Sequence, residues 1–220
     1  MFHYTASYTD LYQLSMAQVY FKTGRVHERA VFDYFFRKQP FDGGYTVFCG
    51  LQTVLTVIED LYFSGDDIRF LKSNGFDPDF LDYLKDFKFN GHIYSTREGD
   101  LVFPTRPILQ VEATLIEAQI IETLLLNILN YQTLIATKAS RMKQVAGQAK
   151  LVDFGLRRAQ STAAYHGVRA AIIGGFDATS NVKAAQDLNI AVSGTMAHSF
   201  VQSYDHEIDA FRDYAEHRPG

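Results

Sequence analysis

The sequence LVDFGLRRAQ at residues 151–160 begins the part of the chain that decides the fold, and AAIIGGFDATSNV at 170–182 and NIAVSGTMAHSF at 189–200 continue it. Each stretch combines a short apolar strand with a loop rich in glycine and polar residues, and a helix follows. This alternation predicts parallel strands joined by right-handed crossovers, as in the first three units of a (β/α)₈ barrel. The expected strands are 151–154, 171–173 and 190–192.

An open, doubly wound sheet is the competing architecture for these units. Sheets of that type that bind dinucleotides carry a Gly-x-Gly-x-x-Gly turn after the first strand. The sequence has FGLRRA at that place, residues 154–159. The pattern therefore favours the barrel over the open sheet.

A long helical pattern precedes the barrel units. Residues 115–146 are densely apolar, contain few helix breakers and end at Gly147, so we expect this helix to be buried on more than one side. The region before it is rich in aromatic residues and mixes helices with strands. Its expected elements are helices near 11–24, 51–62, 66–73 and 78–87, strands at 29–37 and 45–49, and a small antiparallel layer over 91–114.

The predicted fold class is α/β, with a mixed α+β N-terminal domain followed by the first part of an irregular (β/α) barrel. The N-terminal domain spans residues 1–114. A long linking helix spans 115–147. The first three βα units of an incomplete barrel span 148–220.

The first helix has a clear start signal. Thr9 or Asp10 can cap it, because a short oxygen-bearing side chain accepts a hydrogen bond from a free amide of the first turn. The helical spacing then predicts an apolar face that includes Leu11, Leu14 and Ala17.

Composition excludes several classes of protein. The chain has 21 basic and 25 acidic residues without a run of like charge, which argues against nucleic acid and anionic membranes as partners. No apolar stretch is long enough to span a bilayer, and the N-terminus lacks a targeting pattern. A single cysteine, Cys49, cannot form an intrachain disulfide, and the histidines lack zinc-site spacing, so we expect a cytoplasmic protein without a resident metal.

Polar loops follow the expected strands, where parallel α/β folds gather their functional residues. In the first loop, Arg157 and Arg158 could present paired donors to a carboxylate or phosphate. The alternative is that they are solvated arginines at a helix start, paired with Asp153 or another acid. The residues alone leave both interpretations open.

The second and third loops offer an anion site and a reactive side chain. Two glycines precede Asp177 and Ser180, so the loop could bring its backbone close to a phosphate, or could simply cap the next helix. In the third loop, His198 follows Thr195 by three residues. A histidine there could accept a phosphoryl group or transfer protons, although a lone histidine is more often structural.

Taken together, six segments in this order resemble the nicotinate phosphoribosyltransferase family over nearly the whole chain. Each string is weak evidence alone, but their common order is specific. The segments are YTDLYQ (8–13), EGDLVFP (98–104), IET (121–123) with NYQTLIAT (130–137), GLRRAQ (155–160), GGFDATSNV (174–182) and GTMAHSF (194–200).

The resemblance implies a type II phosphoribosyltransferase that makes nicotinate mononucleotide and pyrophosphate from nicotinate and phosphoribosyl pyrophosphate, in NAD biosynthesis. It implies that ATP hydrolysis is coupled through a phosphorylated histidine, which would be His198. Thr195 is expected to contact nicotinate, and Tyr12 to lie against its ring. Arg157 and Arg158 would bind substrate anions, and we expect Asp177 and Ser180 to contact substrate as well.

The resemblance also implies ATP as co-substrate, Mg²⁺ with the pyrophosphate group, and a homodimer whose site is shared between subunits. Family members are longer than this chain, so we expect the 220 residues to be a truncated half that is inactive alone. Two alternatives remain from the sequence. One is nicotinamide phosphoribosyltransferase, which shares the architecture, and the other is a non-catalytic fragment that forms an interface or binds a nucleotide.

Overall fold

The structure is a computed structural model that describes residues 4–218. Residues 1–3 of the predicted 1–114 domain and the last two residues of the predicted 148–220 segment lie outside the described residues. The first part of the chain alternates helices with short strands. In order these are α1 Leu11–Lys22, β1 Arg29–Tyr34, β2 Thr46–Val47, α2 Leu51–Glu59, α3 Gly65–Ser73, α4 Pro78–Lys85, β3 His92–Ser95, β4 Leu101–Val102 and β5 Leu109–Thr114.

The second part begins with one long helix and continues as strand–helix units. The predicted α/β class is confirmed by the alternation of helices with small sheets. In order the elements are α5 Leu115–Ala146, β6 Val152–Asp153, α6 Thr162–Ile173, β7 Ala178–Thr179, α7 Val182–Leu188, β8 Ala191–Val192, α8 His198–Val201 and α9 Glu207–His217.

The N-terminal strands form two separate antiparallel groups. β5 is the centre of a three-stranded sheet in the order β1-β5-β3, and β2 pairs with β4 apart from it. In β5, Leu109, Val111 and Ala113 alternate with more exposed residues and face the main core. One strand face is thus buried and the other is open, as expected for an antiparallel layer.

The helix α5 packs against both parts of the chain. It starts with a capping box, in which Thr114 and Glu117 bond each other's backbone amides. Its first half is buried on nearly every side, and its second half contacts α6 and β2. Thr133 and Thr137 accept hydrogen bonds from the amides of Cys49 (3.1 Å) and Val47 (3.0 Å). The predicted bounds of this helix are confirmed.

No membrane-spanning helix is found in the part of the chain that the structure describes. The longest helix, α5, carries acidic and amide side chains within its apolar pattern. Some of these are buried, such as Gln119 and Gln132, and they bond other side chains. The helix therefore belongs to the protein core.

The first helix differs from the prediction in one respect. Leu14 and Ala17 are buried as expected, but Leu11 is 66% exposed. The buried position beside Leu14 is taken instead by Gln13, which is fully buried. Asp10 occupies the N-cap position without a side-chain capping bond. The helix is therefore held by its contacts with α5 more than by its cap.

The parallel sheet has the order β6-β7-β8, which confirms three adjacent parallel strands. The predicted second strand at 171–173 is wrong, because these residues form the last turn of α6. The strand is Ala178–Thr179, after the glycine pair rather than before it. A short apolar run fits a buried helix as well as a strand, and the packing of α6 on α5 decides for the helix. The division into segments at 114 and 147 stays a prediction.

A partly buried ion pair joins the two parts of the chain. Arg169 of α6 binds Glu98 with both terminal nitrogens of its guanidinium group, Nη1 at 2.8 Å, and these side chains are 19% and 16% exposed. Glu98 also accepts from the Gly50 amide at 2.6 Å. Burial alone would raise the pKa of Glu98, but the bonds from Arg169 and Gly50 outweigh it and lower that pKa. Glu98 is therefore held as a carboxylate at neutral pH.

We predict that Glu98→Gln lowers the free energy of unfolding by about 3 kcal/mol at pH 7, because it leaves the Arg169 charge buried without its partner. The amide keeps the shape of the side chain and an acceptor for Gly50. Since the folded-state pKa of Glu98 is lowered, the difference from wild type should be complete above pH 5 and shrink as pH falls through that pKa. Urea unfolding at several pH values measures it.

The matched control is Asp66→Asn, which removes the carboxylate of an exposed pair with Arg69. Exposed pairs contribute little, so this variant should lose less than about 0.5 kcal/mol. Equal losses in the free energy of unfolding would contradict a special role for the Glu98–Arg169 ion pair.

Candidate active site

The carboxyl ends of β6, β7 and β8 lie at one edge of the parallel sheet. The strands are in register, and the pairing continues past them through hydrogen bonds from Ser180 N to Asp153 O and from Ser193 N to Thr179 O, both 2.9 Å. Because the strands are parallel, the residues that follow them emerge at the same edge. The residues that follow and that the sequence singled out are Arg157, Arg158, Ser180, Thr195 and His198.

The loop after β6 is shaped by the carboxylate of Asp153. One oxygen accepts from the Gly155 amide at 3.1 Å, and the other accepts from the Thr179 hydroxyl at 3.3 Å. A short 3₁₀ helix, Gly155–Arg157, follows and leads towards α6. Asp153 therefore stabilises the turn after β6 and its contact with β7. It forms no ion pair with Arg157 or Arg158.

The two arginines of this loop are exposed and have no acidic partner among residues 4–218. The alternative in which Arg157 and Arg158 pair with Asp153 or another acid is therefore not found in the described chain. Guanidinium groups without a carboxylate can bind an incoming anion with two donors each.

A cavity of about 670 Å³ lies beside the loop, between β6, α5 and α6. Arg158 and Phe154 line it from the loop, and Lys138 and Tyr131 line it from α5. The Tyr131 hydroxyl donates to the carbonyl of Ala163 at 3.0 Å, which fixes it against α6. Sequence reasoning missed Lys138, although a lone basic residue within the apolar stretch 134–139 was a usable signal.

The loop after β8 leads into the short helix α8. His198 is the first residue of that helix and its side chain is exposed. Thr195 is exposed as well, and its hydroxyl donates only weakly, at 3.4 Å, to the Met196 carbonyl. The imidazole is thus open to solvent at the same edge of the sheet as Arg157.

The structure places Asp177 away from this edge. It precedes β7, so it lies at the amino end of the strand, where it binds Lys143 at 2.9 Å and accepts from the Leu151 amide at 2.8 Å. The hydrogen bond from Lys143, with that from Leu151, lowers the pKa of Asp177. The predicted strand at 171–173 would have placed Asp177 after the strand. Since the strand is Ala178–Thr179, Asp177 comes before it and lies at the opposite edge. Ser180 follows β7 and stays at the carboxyl edge.

The first of the two glycines serves helix packing. A Cβ on Gly174 would meet the Ala136 carbonyl oxygen at 2.4 Å and the Ala139 Cβ at 2.6 Å, both on α5. Gly174 therefore lets α6 end directly against α5. Gly175 has a φ of 102°, which turns the chain from the helix towards β7.

Tyr12 lies on α1, which packs against α5 and α4. Its side chain is 54% exposed, and its hydroxyl accepts from the Gln13 amide at 3.0 Å. An exposed ring of this kind is available to a ligand or to another subunit. No group of three metal-binding side chains is found within residues 4–218.

The fold of this chain matches the folds of solved structures. The crystal structure of human nicotinic acid phosphoribosyltransferase superposes with a TM-score of 0.83 and 38% identity, over 89% of this chain and 40% of that one. The crystal structure of nicotinate-nucleotide pyrophosphorylase from Pyrococcus furiosus has a TM-score of 0.79 at 24% identity, over 96% of this chain and 47% of that one. The first of these places the chain among proteins with a phosphoribosyltransferase fold.

Two family models identify the family. The nicotinate phosphoribosyltransferase N-terminal domain matches residues 8–130, and the nicotinate phosphoribosyltransferase family matches residues 149–218. The chain belongs to the nicotinate phosphoribosyltransferase family. Among its relatives, the Bacillus subtilis nicotinate phosphoribosyltransferase is 51% identical over 95% of this chain, and the Caenorhabditis elegans one is 45% identical over 89%. The chain spans 43% and 36% of these relatives.

We predict that Gly174→Ala lowers the free energy of unfolding by about 2 kcal/mol or more, because the added methyl group overlaps the backbone of α5. Gly44→Ala is the control, since a Cβ there meets no atom within 4 Å and its φ is not positive. It should change stability by less than about 0.5 kcal/mol. A Gly174→Ala variant as stable as wild type in urea unfolding would show that α6 does not need this close approach.

Proposed function

We propose that this chain contributes to a nicotinate phosphoribosyltransferase, which joins nicotinate to the phosphoribosyl group of phosphoribosyl pyrophosphate and releases pyrophosphate. The observation that carries the proposal is the common edge at which Arg157, Arg158, Ser180, Thr195 and His198 emerge. The family membership of the chain supports the same reaction. Since the chain spans under half of its relatives, the activity is proposed for a protein that contains this segment.

Anion binding is the first task of the proposed site. Nicotinate is a carboxylate, and phosphoribosyl pyrophosphate carries several phosphate charges. The exposed arginines of the β6 loop, which have no acidic partner among the described residues, can hold such groups by paired hydrogen bonds. The pyridine nitrogen then attacks the anomeric carbon of the ribose, and the bond to pyrophosphate breaks. Positioning the nucleophile and stabilising the leaving group supply most of the catalysis in such a reaction.

The ring of nicotinate is proposed to lie between Thr195 and an aromatic face supplied by Tyr12. In the proposed homodimer, Tyr12 reaches the site of the partner subunit. Its 54% exposure supports this, because the ring is free on the surface of α1. Mg²⁺ would arrive with the pyrophosphate group, as is usual for a cation bound chiefly by substrate phosphates.

His198 is proposed to receive the γ-phosphoryl group of ATP on a ring nitrogen, with ADP as the leaving group. Hydrolysis of the phosphohistidine then couples ATP to nucleotide formation. The exposed position of the imidazole at the start of α8 supports this role, because ATP can approach it directly. The added phosphate would change the charge of the edge at which pyrophosphate is proposed to leave.

We place the reaction in the cytoplasm. Cys49 is a free, buried thiol, and burial raises its pKa to about 12. Such a thiol stays protonated and unreactive, which suits a reducing compartment. We also expect the isolated chain not to form nucleotide, because the described sheet has three strands and both of its outer strands have an open edge.

The proposed function is tested with a chimera in which this chain replaces the matching segment of the Bacillus subtilis relative. The chimera should form nicotinate mononucleotide from nicotinate and should turn over nicotinamide much more slowly. A folded chimera without either activity would contradict the proposal. Faster turnover of the amide would favour the nicotinamide enzyme instead.

We predict that His198→Asn in this chimera abolishes transfer of phosphate from γ-labelled ATP to the protein and removes ATP stimulation, while slow uncoupled nucleotide formation continues. The reason is that asparagine keeps a polar group but has no nucleophilic ring nitrogen. His206→Asn is the control, since His206 is also exposed and lies eight residues further on. Acid-labile label that persists in His198→Asn, or disappears in His206→Asn, would exclude His198 as the acceptor.

A further inference from the structure

The first helix buries a polar side chain beneath an exposed aromatic ring. Gln13 is fully buried in the contact between α1 and α5, although its neighbours Leu14 and Ala17 on that face are apolar. Burying an amide costs free energy unless its donors and acceptor are all bonded. The hydrogen-bond partners of a buried amide therefore indicate which groups it positions.

The amide of Gln13 is bonded at both of its polar atoms. Its Nε2 donates to the Tyr12 hydroxyl at 3.0 Å and more weakly to the Thr123 hydroxyl at 3.4 Å. Its Oε1 accepts from Nε2 of Gln119, which also donates to Glu122 at 2.9 Å. A chain of hydrogen bonds therefore runs from α5 through Gln13 to the hydroxyl of Tyr12.

The hydrogen bond from Gln13 restrains the ring of Tyr12, which few packing contacts hold because the residue is exposed. Consecutive side chains on a helix point in different directions, so Tyr12 and Gln13 do not share a face. The bond between them draws the Tyr12 hydroxyl back towards α5, while 54% of the side chain stays exposed. Two torsions determine the position of a tyrosine ring, and anchoring its far end limits both.

We propose that Gln13 is a positioning residue, which fixes the ring of Tyr12 in one orientation so that its face is presented to a planar aromatic acid. The inference rests on the proposed function, in that the ring is taken to meet nicotinate. Gln13 itself touches no substrate. It acts through the hydroxyl of Tyr12, and α5 supplies the fixed end of the chain through Gln119.

The order of the ring can be measured on the full 220-residue chain without any enzymatic activity. We place 3-fluorotyrosine at position 12 and record its ¹⁹F spectrum with Gln13 intact and with Gln13→Met, which keeps the volume and removes the bonds. The resonance should lie away from the random-coil value in the first protein and move to it in the second. Tyr62 is the matched probe, because it is also 54% exposed and its hydroxyl makes no hydrogen bond within the described residues.

A second variant separates positioning from stability. Gln132→Met removes another buried amide, which donates to the Thr53 hydroxyl at 3.0 Å on α2. Both Gln→Met variants are expected to lower Tm, but only Gln13→Met should move the resonance at position 12. If that resonance is unchanged in Gln13→Met, or already random-coil with Gln13 intact, the proposal is wrong and Gln13 is a core residue only.

The kinetic counterpart uses the chimera with the Bacillus subtilis relative. Gln13→Met should raise the KM for nicotinate roughly three- to tenfold with kcat nearly unchanged, as expected from the loss of one hydrogen bond. Tyr12→Phe should give a similar rise, and the double variant should add nothing further. Additive effects, or a loss confined to kcat, would overturn the proposal. A chimera that is inactive with nicotinate would count against the proposed function, while the ¹⁹F result would still decide whether Gln13 holds the ring.

Discussion

The packing of α5 against both parts of the chain is the constraint on which the rest of the structure depends. One half of this helix closes the N-terminal core, and the other half receives α6 and the backbone of β2. The two halves belong to one continuous helix, so the N-terminal core and α6 are packed on the same element. Gly174 marks how close this packing is, since even one methyl group there would overlap α5.

An ion pair also connects α6 with the N-terminal part of the chain. Arg169 of α6 reaches Glu98 on the turn before β4, and Glu98 also binds the amide at the start of α2. The pair therefore fixes the side of α6 that faces the N-terminal part. Because α6 follows directly on the loop of Arg157 and Arg158, both contacts limit where that loop can lie relative to the long helix.

Local signals determined most of the helices, and long-range packing determined what the sequence could not show. The dense apolar pattern of α5 and the glycine that ends it predict that helix from its own residues. The composition of residues 171–173 fits a strand as well as a helix, and contact with α5 makes the segment helical. Because the strand is Ala178–Thr179 and not 171–173, Asp177 lies at the amino end of β7. Contacts such as Gln13 with Tyr12 and Glu98 with Arg169 depend on tertiary structure and leave no spacing pattern, whereas the edge shared by Arg157 and His198 followed from strand order alone.

Some cations of this chain are neutralised by ion pairs that hold the fold together, and the arginines of the β6 loop are not among them. Arg169 and Lys143 are neutralised by Glu98 and Asp177, at the boundary with the N-terminal part and at the amino edge of the sheet. At the carboxyl edge, the two arginines after β6 have no such partner among the described residues. A chain with a net charge of −4 thus keeps unpaired positive charge where its parallel strands end. Exposed charges of this kind attract anions over several ångströms, and salt weakens that attraction because exposed charges are screened.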